Sequence, residues 1–326
     1  MKTYSFIGSD KNAGKTTAFN YVYSNLYPAA ARSHQDICLS SIGINGERRD
    51  SYEYKDKPRI LLRPGTWFLT NGDHLRAHTG KYAALLHLGP PDYKKNYIFA
   101  RSLLSFPIVL EGPNTGKEIT AAKRQISSIL NDDSILLIDG SIDRQFLARP
   151  EISDGIYFSV LCSRRKEQQQ KTAGFLKAIT LPPCADHHRR IIDQYSANSP
   201  RWLLLDEKCH EIGQGTALIS RDPALKELCL KQKDRKTMLY LNGALTRSLS
   251  SFLAPFKNLE IILDNFTLYL NIHTEDPGKK LFRPEITLYH PVRIKKIFIR
   301  EESHFDPGLL PANCPVINIF RMSHEN

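Results

Sequence analysis

Lys15 and Thr16, which follow Gly14 near the start of the chain, are residue types that bind phosphate groups and Mg²⁺. Residues 8–17 read Gly-Ser-Asp-Lys-Asn-Ala-Gly-Lys-Thr-Thr, after a short apolar segment and before a helical pattern. In a phosphate-binding loop, successive backbone N–H groups at a helix N-terminus surround the phosphates, the lysine reaches the β- and γ-phosphates, and the hydroxyl binds Mg²⁺. We therefore expect ATP and Mg²⁺ to bind here. The expected nucleotide-binding residues are Ser9, Lys11, Asn12, Ala13, Gly14, Lys15, Thr16 and Thr17.

The spacing of the glycines departs from the usual motif. Five residues separate Gly8 from Gly14, so Ser9 occupies the first position of the motif. Serine lacks the free access to positive φ that glycine has. An ordinary strand, polar turn and helix would explain the same residues without a ligand, and this alternative stays open.

Asp139 is the second candidate ligand for Mg²⁺, after Thr16. It follows the segment 134–138, whose last four residues are apolar and favour a buried strand, and it precedes Gly140. A carboxylate at the carboxyl end of such a strand holds Mg²⁺ in nucleotide-binding sheets, and ligands gather at that edge of a parallel sheet. A strand followed by Asp-Gly is also a common turn. The expected metal ligands are Thr16 and Asp139.

Two further carboxylates, Glu47 and Asp50, lie in a polar loop, Gly-Glu-Arg-Arg-Asp, at residues 46–50. Such a loop can orient water or sense the γ-phosphate in a nucleotide switch. Lys15, Glu47 and Asp50 are therefore the expected catalytic residues. A surface loop of ion pairs explains the two carboxylates equally well.

Strand-like and helical segments alternate along the chain and must position these groups. This order favours an α/β fold, with a mostly parallel sheet like that of P-loop NTPases, helices on both faces, and a second α/β region. We expect a nucleotide-binding domain over residues 1–182 and a second region over 183–326, with a helix from about Lys15 to Leu26. The expected strands cover residues 2–7, 36–41, 59–62, 66–69, 97–100, 107–110, 134–138, 202–205, 217–220, 259–263, 296–300 and 316–320.

Three other segments carry weaker signals. Residues 112–117, Gly-Pro-Asn-Thr-Gly-Lys, look like a shortened second phosphate loop, but a surface turn is the simpler interpretation. The segment 184–188, Cys-Ala-Asp-His-His, lacks the second ligand pair of a structural zinc site. Cys209 and His210 are sequence neighbours, which rarely form a nucleophile–base pair.

Composition narrows the class of protein. The 326 residues are 41% hydrophobic and 24% charged, and the formal net charge is +11. No apolar run is long enough for a membrane span, and the first apolar segment is too short for a signal peptide. The six scattered cysteines suit reduced thiols, so we expect a cytoplasmic protein with no membrane partner. The basic clusters lack a recognisable nucleic-acid module, so we do not expect a nucleic-acid partner.

The assembled motifs resemble a known family, the reactivase subunits of adenosylcobalamin-dependent lysine 5,6- and ornithine 4,5-aminomutases. The most specific island is the loop 39–50, Leu-Ser-Ser-Ile-Gly-Ile-Asn-Gly-Glu-Arg-Arg-Asp. The resemblance spans most of the chain as islands, although residues 295–302 diverge. Its other islands are residues 14–17, 57–58, 135–144, 242–246, 305–307 and 314–316.

This resemblance implies a chaperone-like protein that uses ATP to exchange damaged cobalamin in a radical aminomutase. The implied partners are the aminomutase and a second reactivase subunit. Two alternatives stay open, since the motifs fit each of them. One is an ATP-dependent ligase similar to dethiobiotin synthetase, with Glu111 and Gly112 near its substrate, and the other is a nucleotide-binding adapter that does not hydrolyse ATP.

Overall fold

A computed structural model describes most of the chain and divides it into two compact units. The described residues are 1–10, 12–45, 58–88, 97–140, 147, 149–162, 165–195, 198–217, 219, 222–269, 284–300 and 314–319. The first unit contains Met1–Gln169 together with Arg293–Asn326, and the second contains Gln170–Val292.

The first unit is built on a nine-stranded sheet. Its strands run in the order β18-β17-β11-β1-β10-β2-β5-β7-β6, parallel from β18 to β5 and antiparallel from β5 to β6. Two short antiparallel pairs, β3 with β9 and β4 with β8, lie beside it. The strands are β1 (Lys2–Gly8), β2 (Ile37–Ser41), β3 (Gly43–Asn45), β4 (Ile60–Leu62), β5 (Trp67–Asn71), β6 (Tyr82–Leu88), β7 (Tyr97–Ser102), β8 (Phe106–Ile108), β9 (Leu110–Gly112), β10 (Ile135–Asp139), β11 (Gly155–Leu161), β17 (Arg293–Arg300) and β18 (Val316–Ile317).

Helix α1 (Lys15–Ser33) covers the centre of this sheet. Its buried side chains recur at helical spacing, and among them Phe19 meets Phe6 of β1 edge to face, with ring centroids 5.1 Å apart. Phe6 also stacks on Tyr157 of β11. Aromatic contacts of this kind add to the free energy gained by burying the rings, so they fix the helix over strands β1 and β11. The other helices are α2 (Gly116–Ser127), the 3₁₀ helix Gly72–His78, and α3 (Lys166–Ile179), in which the chain passes into the second unit.

The second unit has its own five-stranded sheet, in the order β13-β12-β14-β15-β16. Strands β14, β15 and β16 are parallel, and β12 is antiparallel to both of its neighbours. Its elements are α4 (Asp186–Gln194), β12 (Trp202–Asp206), β13 (Glu211–Gly215), α5 (Pro223–Lys231), β14 (Thr237–Leu241), α6 (Arg247–Leu253), β15 (Leu259–Asn265), the 3₁₀ helix Phe266–Leu268 and β16 (Glu285–His290).

The chain is therefore mixed α/β, with a large and mostly parallel sheet, as the alternating pattern predicts. The division into units differs from the expected domains 1–182 and 183–326. The first continuous segment of the first unit ends earlier, at Gln169. The unit also includes the residues from Arg293 onward, because β17 pairs with β11 along its whole length. A prediction from sequence order alone assigns these late strands to the second region.

Several expected elements differ in the structure. The expected strand 107–110 is divided between β8 and β9, and β18 covers only residues 316–317 of the expected strand 316–320. Helix α1 continues past Leu26 to Ser33 and contains Pro28, although a proline inside a helix removes a hydrogen bond and usually marks an end. No strand is found at the described positions of the expected strand 217–220, where Ile219 lies in a short 3₁₀ turn after β13.

Candidate functional site

The segment between β1 and α1 forms a loop whose backbone is shaped to surround an anion. Asn12 and Gly14 both have left-handed backbones, with φ of 62° and 84°, while Ala13 between them does not have a positive φ. Alternation of left-handed and ordinary residues turns successive backbone N–H groups toward one concavity, which is a common anion-binding arrangement. Asparagine and glycine are the residues that tolerate this backbone best, so the residue types fit the geometry.

The N-terminus of α1 is open to an anion. Gly14 is its N-cap residue and has no side chain to accept the first N–H groups of the helix. The first turn contains no acidic residue, so the positive end of the helix dipole is not neutralised there. The loop and the helix therefore present N–H groups and a partial positive charge to the same place.

The side chain of Lys15 folds back over the end of β1. A Cβ added to Gly8 would lie 2.9 Å from both Cγ and Cδ of Lys15, so only glycine leaves room for this path. The Lys15 ammonium donates to the carbonyl oxygen of Asp10 at 3.3 Å. The cation is thus held above the loop, where a phosphate group on the N–H concavity would meet it.

Thr16 and Asp139 come together at the carboxyl edge of the sheet. The Thr16 hydroxyl donates to Oδ2 of Asp139 at 3.2 Å. Asp139 is fully buried at the end of β10, where its register partners are Phe6 of β1 and Ser41 of β2. A hydroxyl and a carboxylate are the hard oxygen ligands that Mg²⁺ prefers, so this pair fits a Mg²⁺ ion.

Ser9 ties the start of the loop to the neighbouring strand β11. Its backbone N–H donates to the carbonyl of Ser159 at 2.8 Å, and its hydroxyl accepts from the N–H of Leu161 at 3.0 Å. Ser9 does not have a positive φ. This position therefore does not require glycine, which explains how the loop forms although the usual first glycine of the motif is replaced.

Two contacts to the loop were not found by sequence reasoning. Gln168, in α3, donates its side-chain amide to the carboxylate of Asp10. Arg300, the last residue of β17, donates Nη1 to the carbonyl oxygen of Asn12 at 2.8 Å. The second contact spans 288 positions, and no local pattern marks it, so only the strand order could have revealed it.

Of the remaining expected site residues, the structure describes Ala13 and Thr17 but not the other three. Lys11, Glu47 and Asp50 lie outside the described residues, so their positions stay predictions. Ala13 is buried, while Thr17 is partly buried in the first turn of α1.

The shortened second loop at residues 112–117 already uses its N–H groups. Thr115 caps α2 and accepts from the N–H of Glu118 at 3.3 Å, while the Glu118 carboxylate accepts from the N–H groups of Asn114 and Thr115. A carboxylate therefore occupies this helix N-terminus, which disfavours an anion. The geometry agrees with the simpler interpretation of this segment as a turn before a helix.

A hydrogen-bonded pair of side chains joins β9 to the 3₁₀ helix Gly72–His78. Nε2 of His74 lies 3.0 Å from Oε2 of Glu111, and the two side chains are 27% and 4% exposed. The backbone of β9 packs tightly against the end of β2, since a Cβ added to Gly112 would lie 2.1 Å from the carbonyl oxygen of Ser41. Sequence reasoning placed Glu111 and Gly112 near a substrate but did not identify His74.

The cysteine and histidine segments show no activated thiol. Burial raises the pKa of the Cys184 thiol, and burial with the nearby Asp206 carboxylate raises that of Cys209. A raised pKa lowers the fraction of nucleophilic thiolate. Within the described residues, no group of three or more His, Cys, Asp or Glu side chains is arranged to hold a metal ion. Every helix in the described ranges is too short or too polar to traverse a bilayer.

Comparisons with family models, with curated proteins and with solved structures gave no match to this chain.

Proposed function

We propose that the loop between β1 and α1, together with Asp139, binds ATP and Mg²⁺ in a site of the P-loop NTPase type. The observation that carries this proposal is the hydrogen bond between Thr16 and Asp139, directly below a loop with left-handed residues at Asn12 and Gly14. A polar turn without a ligand needs neither feature. Their combination supplies an anion concavity and a cation ligand side by side.

The residues of the site have distinct roles in this proposal. The backbone N–H groups from Asn12 to Thr16 bind the phosphates, and the Lys15 ammonium exchanges its bond to the Asp10 carbonyl for the β- and γ-phosphates. Thr16 and Asp139 hold Mg²⁺, which when bound neutralises the charge that develops on the phosphate oxygens. Glu47 and Asp50 are proposed to sense the γ-phosphate.

We further propose that the protein hydrolyses ATP as the reactivating factor of an adenosylcobalamin-dependent lysine 5,6- or ornithine 4,5-aminomutase. The support is the set of matching sequence segments, above all residues 39–50, which begin in β2, the strand that pairs with the strand of Asp139. A nucleotide that is bound and then hydrolysed at this edge can bias the conformation of such a loop and thereby its grip on a partner. A second reactivase subunit and a cytoplasmic location belong to the same proposal.

The experiment is a measurement of ATP hydrolysis by the purified chain with and without such an aminomutase that holds inactivated cobalamin. We expect a rate that rises several-fold with the aminomutase and stays basal with an unrelated cobalamin enzyme. ATP binding with no hydrolysis in either mixture would instead support the adapter function and would overturn this one.

The pair of His74 and Glu111 favours a second candidate, the ATP-dependent ligase. A buried carboxylate with a partly exposed imidazole is suited to a small substrate as well as to water, and Gly112, which follows Glu111, packs on Ser41, the register partner of Asp139. The ligase predicts that ADP forms only when a small-molecule acceptor is added, whether or not an aminomutase is present.

A further inference from the structure

His74 and Glu111 lie at the edge of the sheet where the nucleotide is proposed to bind. Gly112, which follows Glu111, packs on the carbonyl oxygen of Ser41, and Ser41 is the register partner of Asp139. In addition, the backbone N–H of Ile42 donates to the carbonyl of Asp139 at 3.0 Å. The pair is therefore connected to the Mg²⁺-binding residues through one strand, β2, on the side of Asp139 that faces away from β1.

The Glu111 carboxylate orients the imidazole of His74. It is 4% exposed, and its Oε2 lies 3.0 Å from Nε2 of His74, so the tautomer that donates to this carboxylate carries its N–H on Nε2. Nδ1 is then the acceptor. Among the described residues, Nδ1 has no hydrogen-bond partner, and His74 is 27% exposed on its side chain. A buried carboxylate that orients an imidazole and leaves its other nitrogen open is the arrangement of a general base.

A purely structural role explains these features less well. A hydrogen bond to a buried carboxylate contributes little net stability, because the cost of removing the carboxylate from water offsets much of the attraction. An apolar pair would join β9 to the 3₁₀ helix at least as well. The open nitrogen at a ligand-binding edge is the feature that a structural pair does not need.

We propose that His74, oriented by Glu111, is the general base of ATP hydrolysis in this protein. The water oxygen forms a bond to the γ-phosphorus while the bond from the γ-phosphorus to the β,γ-bridging oxygen breaks, and ADP leaves. The proton of the water moves to Nδ1 of His74, whose positive charge the Glu111 carboxylate stabilises. This inference rests on the proposed ATP site and adds to it a catalytic residue in the 3₁₀ helix Gly72–His78.

The test compares single-turnover ADP formation and Mg·ATP affinity in wild type, His74→Gln, His74→Ala and Glu111→Gln. The His74→Gln amide can still donate to Glu111 but cannot act as a base, so it separates catalysis from structure. We expect its rate of ADP formation to fall about 100-fold, within the range typical of general bases, with the dissociation constant of Mg·ATP unchanged. The rate of Glu111→Gln should fall about 10-fold, and added imidazole should restore part of the rate of His74→Ala.

Arg76→Gln is the matched control, because Arg76 lies in the same helix and its side chain makes an exposed ion pair with Asp73. It should keep the wild-type rate. A His74→Gln protein with a wild-type rate, or a His74→Ala protein that imidazole does not rescue, would overturn this inference and leave the ATP site standing. A wild-type protein that does not bind Mg·ATP would overturn the site itself, and one that binds it without forming ADP would overturn hydrolysis in both proposals.

Discussion

Thr16 and Asp139 lie 123 positions apart in the sequence and share a hydrogen bond of 3.2 Å. Each was expected at this site from its residue type and its local motif, because a threonine after Gly-Lys and an aspartate after an apolar strand are recognisable without neighbours. His74 and Arg300 were not expected, since their contacts depend on which strands lie side by side. Local pattern therefore identified the two residues that meet at the ends of α1 and β10, and it missed residues whose contacts depend on the strand order.

Asp139→Asn should remove the Mg²⁺-dependent part of nucleotide binding. The amide keeps a hydrogen bond to Thr16 but has no negative charge to hold the cation. We expect the affinity for Mg·ATP to fall at least 10-fold, while the affinity for ATP measured with a chelator stays close to wild type. Titration calorimetry with and without Mg²⁺ measures both. Asp133→Asn, in the turn that precedes the same strand, is the control, and equal Mg²⁺ dependence in all three proteins would contradict the assignment.

Gly8→Ala should weaken nucleotide binding through Lys15. The added Cβ would lie 2.9 Å from Cγ and Cδ of the lysine, which must then leave its path over the loop. Because the side chain is flexible, we expect a small change in melting temperature and a loss of several-fold in ATP affinity. The control is Gly174→Ala, where the added Cβ meets nothing within 4 Å. Unchanged affinity in Gly8→Ala would show that Lys15 does not act from this position.

At the scale of elements, the loop between β1 and α1 is supported by strands that the sequence pattern did not connect with it. Ser9 is tied to β11, and Asn12 is tied to Arg300 of β17. Strand β11 was not among the expected strands, although its residues are buried on both faces like those of β10, and no local pattern shows that it lies beside β1. Helix α1 and strands β1, β2 and β10 were expected, because each can be recognised locally from turn residues, from helical spacing of apolar residues or from a short apolar run.

Arg300→Ala should loosen the loop at Asn12. The guanidinium holds the carbonyl of a residue whose left-handed backbone costs about 1 kcal/mol without support. We expect ATP affinity to fall about 5-fold, because the loop then samples other conformations. A 5-fold change in affinity corresponds to about 1 kcal/mol, the cost of the unsupported backbone. Fluorescence titration with a labelled nucleotide measures the change. Arg293→Ala, at the opposite end of β17, should bind as wild type does, and equal losses in the two variants would contradict a specific role.

At the scale of the whole molecule, the unit that carries the site is discontinuous in sequence. Strand β17 enters the sheet beside β11 after the chain has completed the second unit. Phe298 of β17 is buried and contacts Tyr21 of α1 and Tyr157 of β11. The class of fold could be predicted from alternating strands and helices. The pairing of β17 with β11 could not, because a short stretch of sequence does not show which distant segment it pairs with.

A fragment of residues 1–182 should therefore fail as a nucleotide-binding domain. It lacks β17, so β11 becomes an exposed edge and the apolar contacts of Phe298 are lost. A chain in which a flexible Gly/Ser linker replaces residues 170–292 should keep a cooperative unfolding transition and bind ATP. Circular dichroism of the two proteins measures their unfolding, and nucleotide titration measures their affinity for ATP. A stable fragment 1–182 with full affinity would show that the late strands are dispensable for the site.

The most direct test of the central claim is the affinity of wild type, Lys15→Ala and Lys117→Ala for Mg·ATP, measured by titration calorimetry. Both lysines follow a glycine at the start of a helix, but only the helix that begins at Lys15 has an open N-terminus, since Thr115 and Glu118 cap the other. We predict that Lys15→Ala loses at least 10-fold in affinity and that Lys117→Ala binds as wild type does. Equal binding by all three proteins, or no binding by any, would contradict the proposed ATP site.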